Sequence, residues 1–219
     1  MATSSAVVAR RPQSRFKYAL FSLLGLMFLF VLWNKERFII DHSHPDWPYY
    51  FPARYLLIPH GLGGLTALLI GPLQLSSRFR TKHVRVHRIM GGFYIGGITL
   101  AATMGSYIAT VHSSVPLRIF TYVTAITWLL CAWTALASVL KGNYQQHRQW
   151  MIRSYAVTTL FVTARVVLAV PIIQRLGAGA SAQVLSTLLV LSLIFTEFGL
   201  AWRSIFGSRR PASRVVAAS

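Results

Sequence analysis

The chain has 219 residues, of which 54% are hydrophobic and only 12% are charged, and its mean hydropathy is +0.53. This composition excludes an ordinary soluble domain and indicates an integral membrane protein. The formal net charge of +18 would suit nucleic acid only if the basic residues formed one soluble face. Here they lie between long apolar segments, so a DNA or RNA partner is excluded.

Six apolar segments alternate with short polar connections. A helix needs about 20 apolar residues to cross a hydrocarbon core of about 30 Å. The first segment is short and follows Arg15 and Lys17 as a signal peptide would, but no small-residue cleavage site comes after it, so we expect it to be retained. The sequence therefore predicts an all-α bundle of six transmembrane helices, at about Tyr18–Trp33, Tyr55–Leu75, Ile89–Val111, Ile119–Leu140, Ser154–Ile173 and Ser181–Trp202.

The membrane domain is expected to span residues 18–206, between two basic tails. Residues 1–17 and 207–219 are rich in small residues, Ser, Pro and Arg, which bury too little surface to offset the entropy of ordering. Both tails are therefore predicted to be disordered.

Lysine and arginine are concentrated on one side of the predicted bundle. Cytoplasmic connections carry the excess of these residues, which predicts that both termini are cytoplasmic. This face is expected to contact anionic lipid headgroups. Its basic residues are Arg10, Arg11, Arg15, Lys17, Arg78, Arg80, Lys82, Arg85, Arg88, Lys141, Arg148, Arg153, Arg203, Arg209, Arg210 and Arg214.

Small residues surround one histidine in the second predicted span and line one face of the third. His60 stands beside Gly61, Gly63 and Gly64, where a neighbouring helix or a flat ligand such as a porphyrin would fit; a hydrogen bond between helices is the alternative. In the third span, Gly97, Ala101 and Gly105 recur every four residues, and tight helix packing accounts for them without a cofactor.

Two ionisable residues fall inside the last two predicted spans. Arg165 is placed near the middle of the fifth span and Glu197 in the sixth, at depths that long side chains can bridge. They form either a buried ion pair or the polar wall of a transport path for a small solute or ion. The sequence lacks the pair of interrupted helices common in transporters.

Three histidines, His83, His87 and His147, are predicted to lie near the basic face. Haem b with two histidine ligands needs two neutral imidazoles from neighbouring helices. His87 and His147 satisfy this requirement, with His60 contributing from the outer side. Two histidines do not extend the pattern: His83 is expected to be solvated and His112 to lie in a loop. One cytoplasmic haem site is therefore easier to build than two.

No catalytic motif is present. The sequence contains no HExxH, GxSxG or P-loop pattern and no paired carboxylates. Its single cysteine, Cys131, excludes an internal disulfide and a thiolate zinc cluster. An enzymatic role is left undecided and depends on whether haem is bound.

Three motifs resemble one known family. They are Gly71 to Gln74 (GPLQ), the segment HRIMGGFY from His87, and the segment HRQWMIRSYA from His147. Together they are similar to the predicted bacterial membrane proteins called domain of unknown function 2306, over about residues 44–203. The resemblance implies a multi-span protein of the bacterial inner membrane without an assigned reaction, and it places His60, His87 and His147 on motif positions.

The sequence leaves three hypotheses about function. The first is a structural or accessory membrane protein whose cytoplasmic-face cluster holds an anionic headgroup; it includes His87, Arg88, His147, Arg148 and Arg153. The second is a haem b electron carrier that uses His87 and His147. The third is a transporter that uses Arg165 and Glu197.

Overall fold

The computed structural model describes residues 15–34, 37, 41–45 and 47–206. The predicted tails lie outside these residues, apart from residues 15–17, which are helical and not disordered as predicted. Within the described part the chain is helical and contains no strands. Long helices are expected because a backbone in hydrocarbon must satisfy its N–H and C=O groups internally.

Among the residues that the structure describes, nine α-helices follow one another, six of them long. A 3-10 turn at Phe51–Ala53 leads from the second into the third. The helices are α1 Arg15–Asn34, α2 Trp47–Tyr50, α3 Arg54–Leu75, α4 Ser77–Lys82, α5 Val84–His112, α6 Val115–Leu140, α7 Tyr144–Leu168, α8 Pro171–Arg175 and α9 Gly177–Phe206.

Within the described ranges, five helical segments are long and apolar enough to cross a membrane: α2 and α3 taken together, α5, α6, α7 and α9. The apolar part of α1, Ala19–Asn34, is shorter. The all-helical membrane fold is thus confirmed, and five of the six expected spans meet this criterion. Large apolar side chains such as Phe93, Leu130 and Phe195 are exposed on the outside of the bundle, where lipid would cover them.

Two expected boundaries are wrong. The fifth span was predicted to run from Ser154 to Ile173, but α7 begins at Tyr144 and ends at Leu168. His112 is the last residue of α5 and not a loop residue, and its ring contacts Tyr49, with the ring centres 5.2 Å apart. The start of α7 and the place of His112 were mispredicted because polar residues near a helix end were assigned to a connection. The end of α7 was mispredicted because the apolar run continues past Leu168 into Pro171, where a new helix begins.

Helices α3, α5, α6 and α7 form a four-helix core in which α5 and α7 lie diagonally, each packing against both α3 and α6. Helix α9 packs on α6 and α7, and α1 packs on α7. We call the end at which α3 and α6 finish and α5 and α7 begin the basic end, because it carries Arg78, Arg80, Lys82, Arg85 and Lys141. The opposite end holds α2, α8 and the turn between α5 and α6.

Glycine allows the backbones of α3 and α5 to touch. A Cβ atom added at Gly63 would lie 2.5 Å from the carbonyl oxygen of Gly97, and one added at Gly97 would lie 2.9 Å from that of Gly63. The face predicted from Gly97, Ala101 and Gly105 is therefore the α3 contact, as small-residue packing requires. Gly61 and Gly64 have nothing within 4 Å of an added Cβ and do not take part.

Short polar signals begin two helices at the basic end. The Ser76 hydroxyl accepts a hydrogen bond from the backbone N–H of Phe79 (3.3 Å), which caps α4. The Asn143 side chain accepts one from the N–H of Gln146 (3.0 Å) and caps α7. Gly142, with φ +74°, supplies the left-handed residue needed to turn directly from α6 into α7.

Candidate functional site

A buried polar layer crosses the centre of the four-helix core. The Tyr94 hydroxyl on α5 lies 3.0 Å from the Ser154 hydroxyl and 3.4 Å from that of Thr158, both on α7. The Trp128 indole N–H on α6 donates to the Thr158 oxygen at 3.0 Å. None of these four side chains is more than 3% exposed. We call Tyr94, Trp128, Ser154 and Thr158 the central layer.

The central layer fixes the register of α5 against α7. Both helices start at the basic end and run in the same direction, and Tyr94 and Ser154 are separated by 60 residues. His87 and His147 are also separated by 60 residues, and each lies seven residues before its partner in the layer. Seven residues are two helical turns, or about 10 Å, and return to the same face. The two histidines therefore lie at one level on the facing sides of α5 and α7.

Contacts around the two imidazoles agree with this register. His147 lies close enough to His87 to interact with it electrostatically, as do Arg80 and Arg88. The His147 Nδ1 atom lies 2.8 Å from the carbonyl oxygen of Ala135 on α6. A carbonyl only accepts, so Nδ1 carries the hydrogen, and the lone pair of the neutral ring is on Nε2.

Two buried nitrogen atoms near the basic end have no hydrogen-bond partner among the described residues: His87 Nδ1 and Gln74 Nε2. Gln74, on α3, is 7% exposed, and its Oε1 lies 3.4 Å from a Cβ placed at Gly91. Gly91 is one turn beyond His87 on the same face of α5. Buried polar nitrogen atoms are costly unless they are satisfied, so a polar group is expected to meet them here.

Among the described residues, no carboxylate neutralises Arg80, Arg88 or Arg148. Asp41 pairs with Arg37 (3.2 Å), and Glu197 pairs with Arg153. Arg88 and Arg148, each directly after one of the two histidines, are exposed, and Arg80 is half-buried. The basic end therefore presents positive charge on both sides of the histidine pair.

The expected ion pair between Arg165 and Glu197 is wrong. Glu197 accepts two hydrogen bonds from Arg153, with Nε–Oε1 2.5 Å and Nη2–Oε2 2.9 Å, and the Arg153 guanidinium lies 4.6 Å from the centre of the Trp150 ring. Arg153 and Glu197 are each nine residues from the basic end of their antiparallel helices, which explains the match. Arg165 is in the last turn of α7, at the opposite end, because α7 ends five residues earlier than predicted.

His60 lies in the far half of the bundle, away from the other two histidines. Its Nδ1 donates to the Ala101 carbonyl oxygen on α5 at 2.8 Å. Its ring covers Gly105, where an added Cβ would lie 2.7 Å from Cε1. The predicted hydrogen bond between helices is thus present.

His83 and His112 lie outside these constellations. His83 precedes α5, is exposed, and has its ring 5.7 Å from that of Phe79. The His112 ring packs against Tyr49 and Tyr50.

The pattern of one family, described as Predicted membrane protein (DUF2306), matches residues 57–200. The chain belongs to this family. The DUF2306 match contains the central layer and all three histidines on motif positions, and the resemblance inferred from the sequence is confirmed. No curated protein and no solved structure matches the chain.

Sequence reasoning missed the central layer and Gln74. Tyr94, Ser154 and Gln74 lie within the DUF2306 motifs, but a tyrosine or serine in an apolar span gives no sign of its partner. One signal was available: the dipeptide His-Arg occurs at residues 87 and 147, in the first turns of two helices that run in the same direction. That spacing predicts the register that the Tyr94–Ser154 contact shows.

Proposed function

We propose that the chain binds haem b between His87 and His147 and carries electrons within the membrane. The observation that supports this most is the shared level of the two histidines on facing sides of α5 and α7. Diagonal helices of a bundle are farther apart than adjacent ones, which are about 8–10 Å apart. They can therefore present two imidazoles to the opposite faces of one flat group.

The hydrogen-bonding state of His147 suits a haem ligand. A ligating histidine usually donates its second ring N–H to a backbone carbonyl or a carboxylate, which fixes the tautomer and the ring orientation. The bond from His147 Nδ1 to the Ala135 oxygen has this form and directs the Nε2 lone pair to the ligand. His87 would supply the opposite ligand.

The charges around the pair suit the rest of the group. Haem b carries two propionate groups, and carboxylates bind strongly to guanidinium groups. Arg80, Arg88 and Arg148 supply positive charge at the level where such groups would emerge toward water. Gln74 Nε2, a buried donor, would gain an acceptor. When bound, haem b supplies a one-electron ferric/ferrous couple.

A second candidate is a structural or accessory protein whose basic end holds an anionic lipid headgroup. It is favoured by the same uncompensated arginines, since polybasic surfaces beside a membrane attract anionic lipids. In this case His87 and His147 would form hydrogen bonds with a phosphate group and would not coordinate a metal. The orientation that makes this end cytoplasmic, in a bacterial inner membrane, is part of both proposals.

Absorption spectra separate the two candidates. The protein is expressed in haem-replete cells and purified in mild detergent. Its absorption spectrum is then recorded in the oxidised form and after reduction with dithionite, and the difference between the two spectra is taken. We expect Soret and alpha bands in the wild type, and their loss in His87→Ala and in His147→Ala. His83→Ala is the matched control, because this histidine is exposed at the same end, and should keep the bands.

The absence of bands in the wild type would refute haem binding and leave the headgroup role. Bands that persist in both His87→Ala and His147→Ala would refute the ligand assignment alone. The headgroup role is then tested directly by comparing how much native phospholipid copurifies with the wild type and with the double variant Arg88→Gln, Arg148→Gln. The double variant is expected to retain less.

A further inference from the structure

A cavity of about 330 Å³ occupies the half of the bundle away from the basic end. Helices α1, α3, α5, α6 and α7 form its walls, most of which are apolar. Thr158 and Trp128 of the central layer also line it, so the layer separates this cavity from the histidine pair. Its other polar lining residues are His60, Ser106, Thr121 and Arg165.

The cavity opens sideways toward lipid. Leu32 on α1 and Ile58 and Leu62 on α3 line it and are also 42%, 48% and 57% exposed on the surface of the bundle. The exposed edge of the cavity therefore lies along α1 and α3. A ligand would therefore reach the cavity from within the bilayer.

Its polar groups suit oxygen atoms on a ligand. His60 Nδ1 donates to the Ala101 carbonyl, so Nε2 is the acceptor atom of the neutral ring and matches a hydroxyl group. The Arg165 guanidinium carries only donors and matches a carbonyl or phenolate oxygen. The two residues come from different walls, α3 and α7, and thus suit a ligand with oxygen atoms on two sides.

The remaining lining suits a flat ring. The Trp128 and Phe161 rings, whose centres are 4.7 Å apart, form an aromatic wall. Cavities for organic ligands measure about 300–1,000 Å³, so this cavity holds one ring with its substituents and not a pair of acyl chains. A long apolar tail would leave past the exposed side chains of Leu32, Ile58 and Leu62 into the lipid.

We propose that this cavity binds the ring of a quinone or quinol, with His60 and Arg165 meeting its oxygen atoms and the tail in the lipid. The site is built from residues other than the histidine pair and does not require haem to be bound.

Quinone binding is tested with the full chain in phosphatidylcholine nanodiscs, titrated with decylubiquinone. We expect saturable binding in the wild type. Gly64→Met should weaken it by about tenfold or more, because Gly64 lines the cavity with open space beside it, and the new side chain would fill that space. Gly199→Met is the matched control: it is a helical glycine on α9, also with nothing within 4 Å of an added Cβ, and should bind as the wild type.

Arg165→Gln should also weaken binding and carries the test if Gly64→Met does not fold. Two results would overturn the proposal: equal affinity in the wild type and both of these variants, or saturable binding of oleate with none of decylubiquinone. The double variant His87→Ala, His147→Ala should bind decylubiquinone normally, so loss of haem and loss of quinone binding are distinguished.

Discussion

Tyr94 and Ser154 join the two diagonal helices of the core through hydroxyl groups 3.0 Å apart. Both side chains are fully buried, so the contact fixes how far α5 can slide against α7. His87 and His147 lie two helical turns before this contact. A change in the contact is therefore expected to alter how the two imidazole rings are positioned relative to each other.

Tyr94→Phe removes the hydroxyl and keeps the ring. We expect the free energy of unfolding to fall by about 1 kcal/mol, since polar contacts between membrane helices are usually modest. Thermal unfolding in detergent measures this change. Tyr107→Phe, at an exposed position of the same helix, should leave the midpoint unchanged. Equal midpoints in both variants would show that the central layer does not stabilise the fold.

Gly63→Ala should destabilise the bundle, because the new Cβ would meet the Gly97 carbonyl oxygen at 2.5 Å and the backbone cannot move aside cheaply. Overpacking of this kind costs about 1–3 kcal/mol. Gly64→Ala is the neighbouring control, because a Cβ atom at this position meets open space. Alanine also favours a helix more than glycine does, so this variant should be at least as stable as the wild type. A similar loss in both variants would contradict the close approach of α3 and α5.

Arg153 and Glu197 are suited to a double-mutant cycle. Arg153→Gln and Glu197→Gln each break a two-hydrogen-bond pair between α7 and α9 and should each cost on the order of 1 kcal/mol. The double variant should cost less than the sum of the two, because the second change removes an interaction already lost. Strict additivity in chemical or thermal unfolding would show that the pair contributes nothing.

The side of the membrane on which the basic end lies can be measured with two cysteines. Thr81→Cys places one at the basic end, and Ser114→Cys places one at the opposite end; both positions are exposed. Cys131 is 3% exposed and is first replaced by Ala to remove background. A membrane-impermeant maleimide on intact cells should label Ser114→Cys and spare Thr81→Cys. The reverse result would invert the predicted orientation.

The fold followed from the sequence, and much of the candidate site did not. Apolar length and small-residue spacing predict helices and their contacts, which is why the Gly97, Ala101 and Gly105 face was found. Helix ends near polar residues are poorly determined by hydropathy, so Arg165 was placed in mid-membrane and given the wrong partner. The correct partner of Glu197, Arg153, depends on how antiparallel helices align, and apolar patterns carry little information about that alignment.

Gln74 shows a different limit. Nothing in GPLQ distinguishes an amide at the end of a helix from one buried beside Gly91, because burial depends on the position of α5. The pairing of His87 with His147 was predicted from the sequence, and their two His-Arg dipeptides lie in the first turns of helices that run in the same direction.

Helix α1 forms one wall of the cavity, and this wall lies outside the part of the chain that the family match covers. The family match begins at residue 57, so it covers both faces that carry His60 and Arg165 and leaves out Phe28, Val31 and Leu32, which close the cavity on one side. Substitutions in α1 would therefore reshape the entrance while the polar groups behind it keep their positions. Selectivity for the tail or substituents of a ligand can evolve in this first helix independently of the chemistry in the core.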